Sequence, residues 1–107
     1  MPIFMVISTH SPEYCPENNE KVRKATLEVM SKMDGLLKKH GVKIVGAWFG
    51  FVPSEHTHYI VYEAPSVEAL QKLRMKPEIR AASAYDSQET KIVKSLEEIT
   101  KELQQAK

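Results

Sequence analysis

Two histidines stand two positions apart in the run Glu55-His56-Thr57-His58, which leads into the apolar segment His58-Tyr59-Ile60-Val61-Tyr62-Glu63. The β-branched and aromatic residues of this segment predict a strand. In a strand, residues two apart point to the same face, at about 7 Å along the backbone. Both imidazoles can therefore reach one metal ion or one polar ligand.

The elements before this strand decide which other side chains join the pair. The uncharged run Ile3 to His10 predicts a central first strand that is buried on both faces. A helix capped by Asn18 or Asn19 follows and ends before Gly41. A second strand covers 42–51, and the third begins at His56 or Thr57.

The elements after the third strand complete the plan. Ser66 caps a second helix that Pro77 interrupts. The last part of the sequence fits two alternatives: one helix with Ile92, Leu96, Ile99 and Leu103 on a stripe, or a charged edge strand over 88–94 followed by a helix over 96–105. We favour the second alternative, because Ser95-Leu96-Glu97-Glu98 is a capping box that starts a helix.

The order β-α-β-β-α-β with a C-terminal helix is the ferredoxin-like split βαβ plan, an α+β fold with a four-stranded antiparallel sheet. Residues 1–107 form one such domain. Right-handed crossovers place the first strand beside the third, so His10 lies about 4.8 Å from the start of the third strand. We therefore expect His10, His56 and His58 to converge, with Cys15 close by.

A resemblance supports this fold. The stretch Glu63-Ala64-Pro65-Ser66-Val67-Glu68-Ala69-Leu70 resembles the junction between strand and helix in the dimeric α/β-barrel superfamily, especially muconolactone isomerases and the small GYD proteins. Residues 89–95 are similar to the last GYD strand, although Ser54-Glu55-His56-Thr57 stands where that family has Gly-x-Tyr-Asp. The resemblance implies a homodimer whose two sheets enclose a lumen. Its relatives include cofactor-free isomerases and oxygenases, haem-binding enzymes and ligand-sensing modules.

The first functional hypothesis is a divalent metal site. His10, His56 and His58 would be its ligands, with Cys15 or Glu55 as a further possibility, and the ion would be Zn, Ni or Cu. Three protein ligands and an open position are typical of catalytic metals. A divalent ion is favoured over haem. The alternative is that these histidines are ordinary, partly solvated residues at a strand end.

The second hypothesis is an organic ligand in the barrel lumen. His58 and Tyr62 share a strand face, we expect Trp48 across from them on the second strand, and all three would contact the ligand. His58 and Tyr62 are then the candidate catalytic residues of a cofactor-free isomerase or monooxygenase. The alternative is that Trp48 is a core or interface aromatic.

The third hypothesis is non-enzymatic: a module for small-molecule binding or assembly. Its C-terminal helix, Leu96 to Gln105, would pack on a neighbouring subunit through Ile99 and Leu103. We favour the other arrangement, in which this helix closes the core of its own protomer.

Composition excludes other classes of partner. The 15 Lys and Arg residues are interspersed with 14 Asp and Glu residues, which gives no patch for nucleic acid. The run Met1 to Ile7 is too short for a signal peptide or a membrane span. A single cysteine cannot form an intrachain disulfide, so we expect a cytoplasmic protein in a reducing compartment.

Overall fold

A four-stranded antiparallel sheet is covered by helices on one face. The computed structural model describes residues 1–52, 55–83 and 87–106, with the backbone alone at residues 51, 52 and 55. The strands are β1 (Ile3–His10), β2 (Lys43–Val52), β3 (Glu55–Glu63) and β4 (Ser87–Val93). The helices are α1 (Glu20–His40), α2 (Val67–Arg74), α3 (Pro77–Ala82) and α4 (Leu96–Gln105), with a short 3-10 helix at Pro12–Tyr14. The sheet order β2-β3-β1-β4 confirms the predicted ferredoxin-like fold.

Side-chain caps fix the starts of three helices. Asn19, Ser66 and Ser95 each accept a hydrogen bond at 3.1 Å from an amide three residues further on. Such a cap satisfies one of the amides that a helix leaves without an internal partner. Gly41 ends α1 with a φ of 66°, in the left-handed region that glycine adopts without strain. Within the described ranges, no helix is long and apolar enough to cross a bilayer.

The central strand β1 has two unlike faces. Its residues alternate between buried and half-buried, and Phe4, Val6, Ser8 and His10 form the buried set. The apolar members of this set pack against α1, α2 and α3 in the main core. We predicted burial on both faces, and this is wrong for the described part of the chain, because its core helices α1, α2 and α3 pack on the face of Phe4 and Val6. We call the opposite face the open face.

A β-bulge between Ile44 and Gly46 decides which aromatic side chain lies on the open face. The bulge inserts one residue into β2, so Phe49 rather than Trp48 pairs with His58, and Trp48 pairs with Tyr59. Trp48 is 59% exposed and Tyr59 is 39% exposed. The expected position of Trp48 opposite His58 and Tyr62 is therefore wrong: it lies on the other side of the sheet.

The helix α4 forms where the capping box places it, but it does not close the core of its own protomer. Leu96, Ile99 and Leu103 are 82%, 37% and 70% exposed. The preference for packing within one chain was wrong, because α4 lies beyond β4 and none of its residues is buried. Its apolar side chains remain available to another surface.

Candidate functional site

The pairing of β1 with β3 brings the histidines together. His10 lies directly opposite His56 in the strand register, and Ser8 lies opposite His58. The ring centroids of His10 and His56 are 5.4 Å apart, and those of His10 and His58 are 4.7 Å apart. The predicted convergence of these three side chains at one end of the sheet is thus present in the structure.

A tightly bonded loop carries Cys15 to the same place. The 3-10 helix turns the chain directly after β1, and the Cys15 carbonyl accepts hydrogen bonds from the Asn18 and Asn19 amides, each at 2.9 Å. Arg23 on α1 donates to the carbonyls of Pro16 at 2.9 Å and Glu17 at 3.0 Å. The loop is therefore held against the first turns of α1, and the Cys15 side chain is buried.

His10, Cys15 and His56 form a cluster with the geometry of a metal centre. One potential ligand atom from each residue lies within 4.8 Å of the other two. The residues are 3%, 1% and 9% exposed, respectively. A tetrahedral ion with Zn–N and Zn–S bonds of normal length separates its ligand atoms by about 3.5 Å. Side-chain movements of roughly 1 Å would suffice to reach that spacing.

His58 lies beside this cluster. Its ring is 4.7 Å from that of His10 and 4.8 Å from that of Phe49. Burial is the main cause that lowers the pKa of His58 to about 4, with the charges of His10 and His56 as further causes. The imidazole is therefore neutral at pH 7. Metal binding by His58 stays a prediction, and the Glu55 side chain lies outside the described residues.

A cavity of about 150 Å³ adjoins the cluster, between the sheet and helices α1 to α3. Among its polar lining groups are His10, His58, Tyr62 and Arg74. We expected His58 and Tyr62 to face a lumen between two sheets, and this placement is wrong, because their side of the sheet is the one that the helices cover. Trp48 does not line this cavity in the same chain, since it lies on the open face.

Arg74 also lines the cavity, and it was not among the predicted site residues. Its Nη1 donates to the Tyr62 hydroxyl at 2.8 Å, and its guanidinium carbon lies 5.8 Å from the centre of the Tyr62 ring. A signal was present: Val67, Leu70 and Arg74 follow helical spacing, so a cation falls on the apolar stripe of α2. An inward cation on an amphipathic helix is a reason to look for an anionic partner.

Comparison with known proteins identifies the fold. Neither a protein-family model nor a curated protein matches the sequence. Among solved structures, a candidate antibiotic biosynthesis monooxygenase from Caulobacter crescentus is similar, with a TM-score of 0.56 and 14% identity over 88% of this chain and 92% of the other. A protein of unknown function from Rhodopseudomonas palustris has a TM-score of 0.53 and 17% identity over 89% and 82%.

Two further likenesses show how widely this fold is used. The de novo designed protein Foldit4 has a TM-score of 0.55 and 14% identity over 88% of this chain and 97% of its own. An unknown protein from Galdieria sulphuraria has a TM-score of 0.50 and 9% identity, and this chain spans only 46% of its length. At these identities the likeness shows the ferredoxin-like fold and no activity.

The Tyr62 hydroxyl should ionise at a higher pH than an ordinary tyrosine side chain. Burial raises its pKa, and the Arg74 charge and hydrogen bond only partly oppose this effect. Because the folded pKa is raised, the stability that the phenol contributes is present below the unfolded pKa of about 10 and is lost as pH rises through the folded pKa. A phenolate absorbance titration of the native protein should show a late component, which ionises above the ordinary tyrosine pKa of about 10.

The variant Tyr62→Phe should remove the late component and lower the free energy of unfolding by about 1 kcal/mol, since it deletes one hydrogen bond. The variant Tyr59→Phe is the control, because Tyr59 is partly exposed on the open face. A late component that persists unchanged in Tyr62→Phe would contradict the prediction.

Proposed function

We propose that the protein binds one Zn, Ni or Cu ion through His10, Cys15 and His56, and that it acts as a homodimeric metalloprotein. The observation that supports the proposal is the buried cluster of two imidazoles and one thiol, with ligand atoms within 4.8 Å. Two strand residues and one anchored loop residue supply the ligands, so most of the geometry exists before the ion binds.

The donor set narrows the choice of metal. A thiolate is a soft ligand that favours Zn and Cu, whereas imidazole binds Zn, Cu and Ni. Two histidines and one cysteine leave a coordination position open for water or a substrate, as in catalytic zinc sites. Since the thiol must stay reduced to bind, the site suits the cytoplasm. His58, whose ring lies 4.7 Å from that of His10, would close this open position if it also bound the ion.

Metal analysis of untagged protein tests this proposal. We expect about one bound ion per chain, and at least about tenfold less in Cys15→Ser and in His56→Ala, because each variant lacks a direct ligand. The control is His40→Ala, since His40 lies at the end of α1 in another groove, beside Lys72 and Met75. His58→Ala shows whether a fourth imidazole contributes.

The identity of the ion follows from titration into chelator-treated protein. A Cu(II) thiolate site should absorb strongly in the visible range, whereas zinc should raise the melting temperature without colour. If the parent protein and both ligand variants retain the same negligible amount of every tested metal, the metal proposal is wrong.

The homodimer is supported by apolar surface that one chain leaves exposed. Trp48 is 59% exposed and lies over Gly46, where an added Cβ would be 2.6 Å from the indole. On the same face, Ile3, Met5 and Ile7 are half-buried. Contiguous apolar patches of this kind usually mark an interface. A second sheet packed on the open face would cover them, and the apolar residues of α4 could then contact the partner chain.

Light scattering coupled to size exclusion should give the mass of two chains. Trp48→Glu should shift the protein toward monomer, because the carboxylate would be buried without a partner in the interface. Leu27→Glu is a matched control: Leu27 is 61% exposed but belongs to α1, on the other side of the sheet. A monomeric parent protein, or equal effects of the two variants, would argue against the open face as the interface.

A second candidate function is acid–base catalysis on a small organic molecule, and the cavity favours it. His58 and Tyr62, the predicted catalytic residues, both line this cavity. The reaction would be an isomerisation, or a cofactor-free oxygenation with molecular oxygen as the oxidant. The Caulobacter protein is described as a candidate monooxygenase, but its likeness concerns the fold alone. The non-enzymatic alternative is ligand binding in the same cavity without turnover.

Assays of lactones and quinols with metal-free protein separate these alternatives. Turnover that falls at least about tenfold in His58→Gln, and not in His40→Gln, would support acid–base catalysis. Binding without turnover would instead support a sensing or assembly role.

A further inference from the structure

We infer that the cavity binds a small aromatic monocarboxylate, about the size of benzoate, whose carboxylate accepts hydrogen bonds from Arg74. This inference names a ligand class for the cavity of the second candidate function, and it does not depend on the metal. The volume of the cavity, the charge of its lining residues and its apolar walls each support the inference.

The volume sets the size of the ligand. A cavity of about 150 Å³ accommodates a single benzene ring. Its apolar walls include Val29 and Met33 from α1, Leu73 from α2, Ile79 from α3 and Ile60 from β3. Such walls favour a planar hydrocarbon body over a strongly hydrated ion such as phosphate, whose desolvation they would not offset.

The positive charge of Arg74 in the cavity lining favours a negatively charged ligand. Arg74 and two imidazoles line the cavity, and no carboxylate is found among the described lining residues. The ion pairs of the described chain involve lysines and leave Arg74 out. A half-buried guanidinium with no acidic partner among residues 1–52, 55–83 and 87–106 is costly, and an anionic ligand would offset that cost.

The hydrogen bonds of Arg74 leave room for a carboxylate. A guanidinium has five N–H donors in a planar fork, and the described residues use one of them, for the Tyr62 hydroxyl. The Tyr62 hydroxyl orients the guanidinium by accepting from Nη1, and the Tyr62 ring centre lies 5.8 Å from the guanidinium carbon. The remaining donors can bind both oxygens of one carboxylate, which is the geometry that this fork recognises best.

The ligand site and the metal cluster are separable by experiment. His10 belongs to both, but Cys15 and His56 are absent from the cavity lining. Cys15→Ser should therefore lose metal and keep carboxylate binding. If the parent protein binds no metal, the carboxylate inference is unaffected. If it binds no carboxylate, the metal proposal is unaffected.

Calorimetric titration of chelator-treated protein with three probes tests the inference. Benzoate carries the ring and the charge, benzyl alcohol carries the ring alone, and acetate carries the charge alone. Benzoate should bind at least about tenfold more tightly than either, because only benzoate fills the cavity and pairs with the guanidinium. Arg74→Gln should remove this preference, so that benzoate binds no more tightly than benzyl alcohol.

The control variant is Arg80→Gln, since Arg80 is an exposed residue of α3 outside this cavity. It should bind benzoate as the parent does. Equal affinities of the parent for benzoate and benzyl alcohol, or unchanged benzoate affinity in a folded Arg74→Gln variant, would overturn the inference. If Arg74→Gln does not fold, the three probes on the parent protein still decide it.

Discussion

The antiparallel register between β1 and β3 is the constraint on which the rest of the molecule depends. It sets Phe4 opposite Tyr62, Val6 opposite Ile60, Ser8 opposite His58 and His10 opposite His56. The apolar pairs at one end belong to the core, and the imidazoles at the other end belong to the candidate site. A slip of one residue would turn every β3 side chain to the opposite face. Burial of the apolar pairs therefore holds the histidines in place.

The β2 bulge determines which side chains of β2 lie on the open face and which lie on the helix-covered face. It places Trp48 beside Tyr59, which gives the open face an exposed aromatic pair, whereas His58 and Tyr62 lie on the helix-covered face. The surface suited to another chain and the groups suited to chemistry thus lie on opposite sides of one sheet. A partner could cover the open face without obstructing the cavity beneath the helices.

The two candidate sites meet at His10 but differ in chemistry. The cluster offers two imidazoles and a thiol from a nearly dry environment, which is a donor set for a borderline or soft metal ion. The cavity offers apolar walls and a guanidinium oriented by a phenol.

The sequence by itself determined the order of the elements, the three side-chain caps, and the approach of His10 to His56, because periodicity, capping chemistry and crossover handedness are local or topological rules. Only the tertiary structure decided what completes the site. Cys15 lies in a loop whose position depends on hydrogen bonds to α1, and Arg74 reaches Tyr62 only after α2 packs on the sheet.

The face of Trp48 depended on a bulge that no alternation pattern reveals, since one inserted residue reverses the phase of everything after it. Likewise, the capping box placed α4 correctly, but whether its apolar residues were buried depended on the distance of α4 from the core.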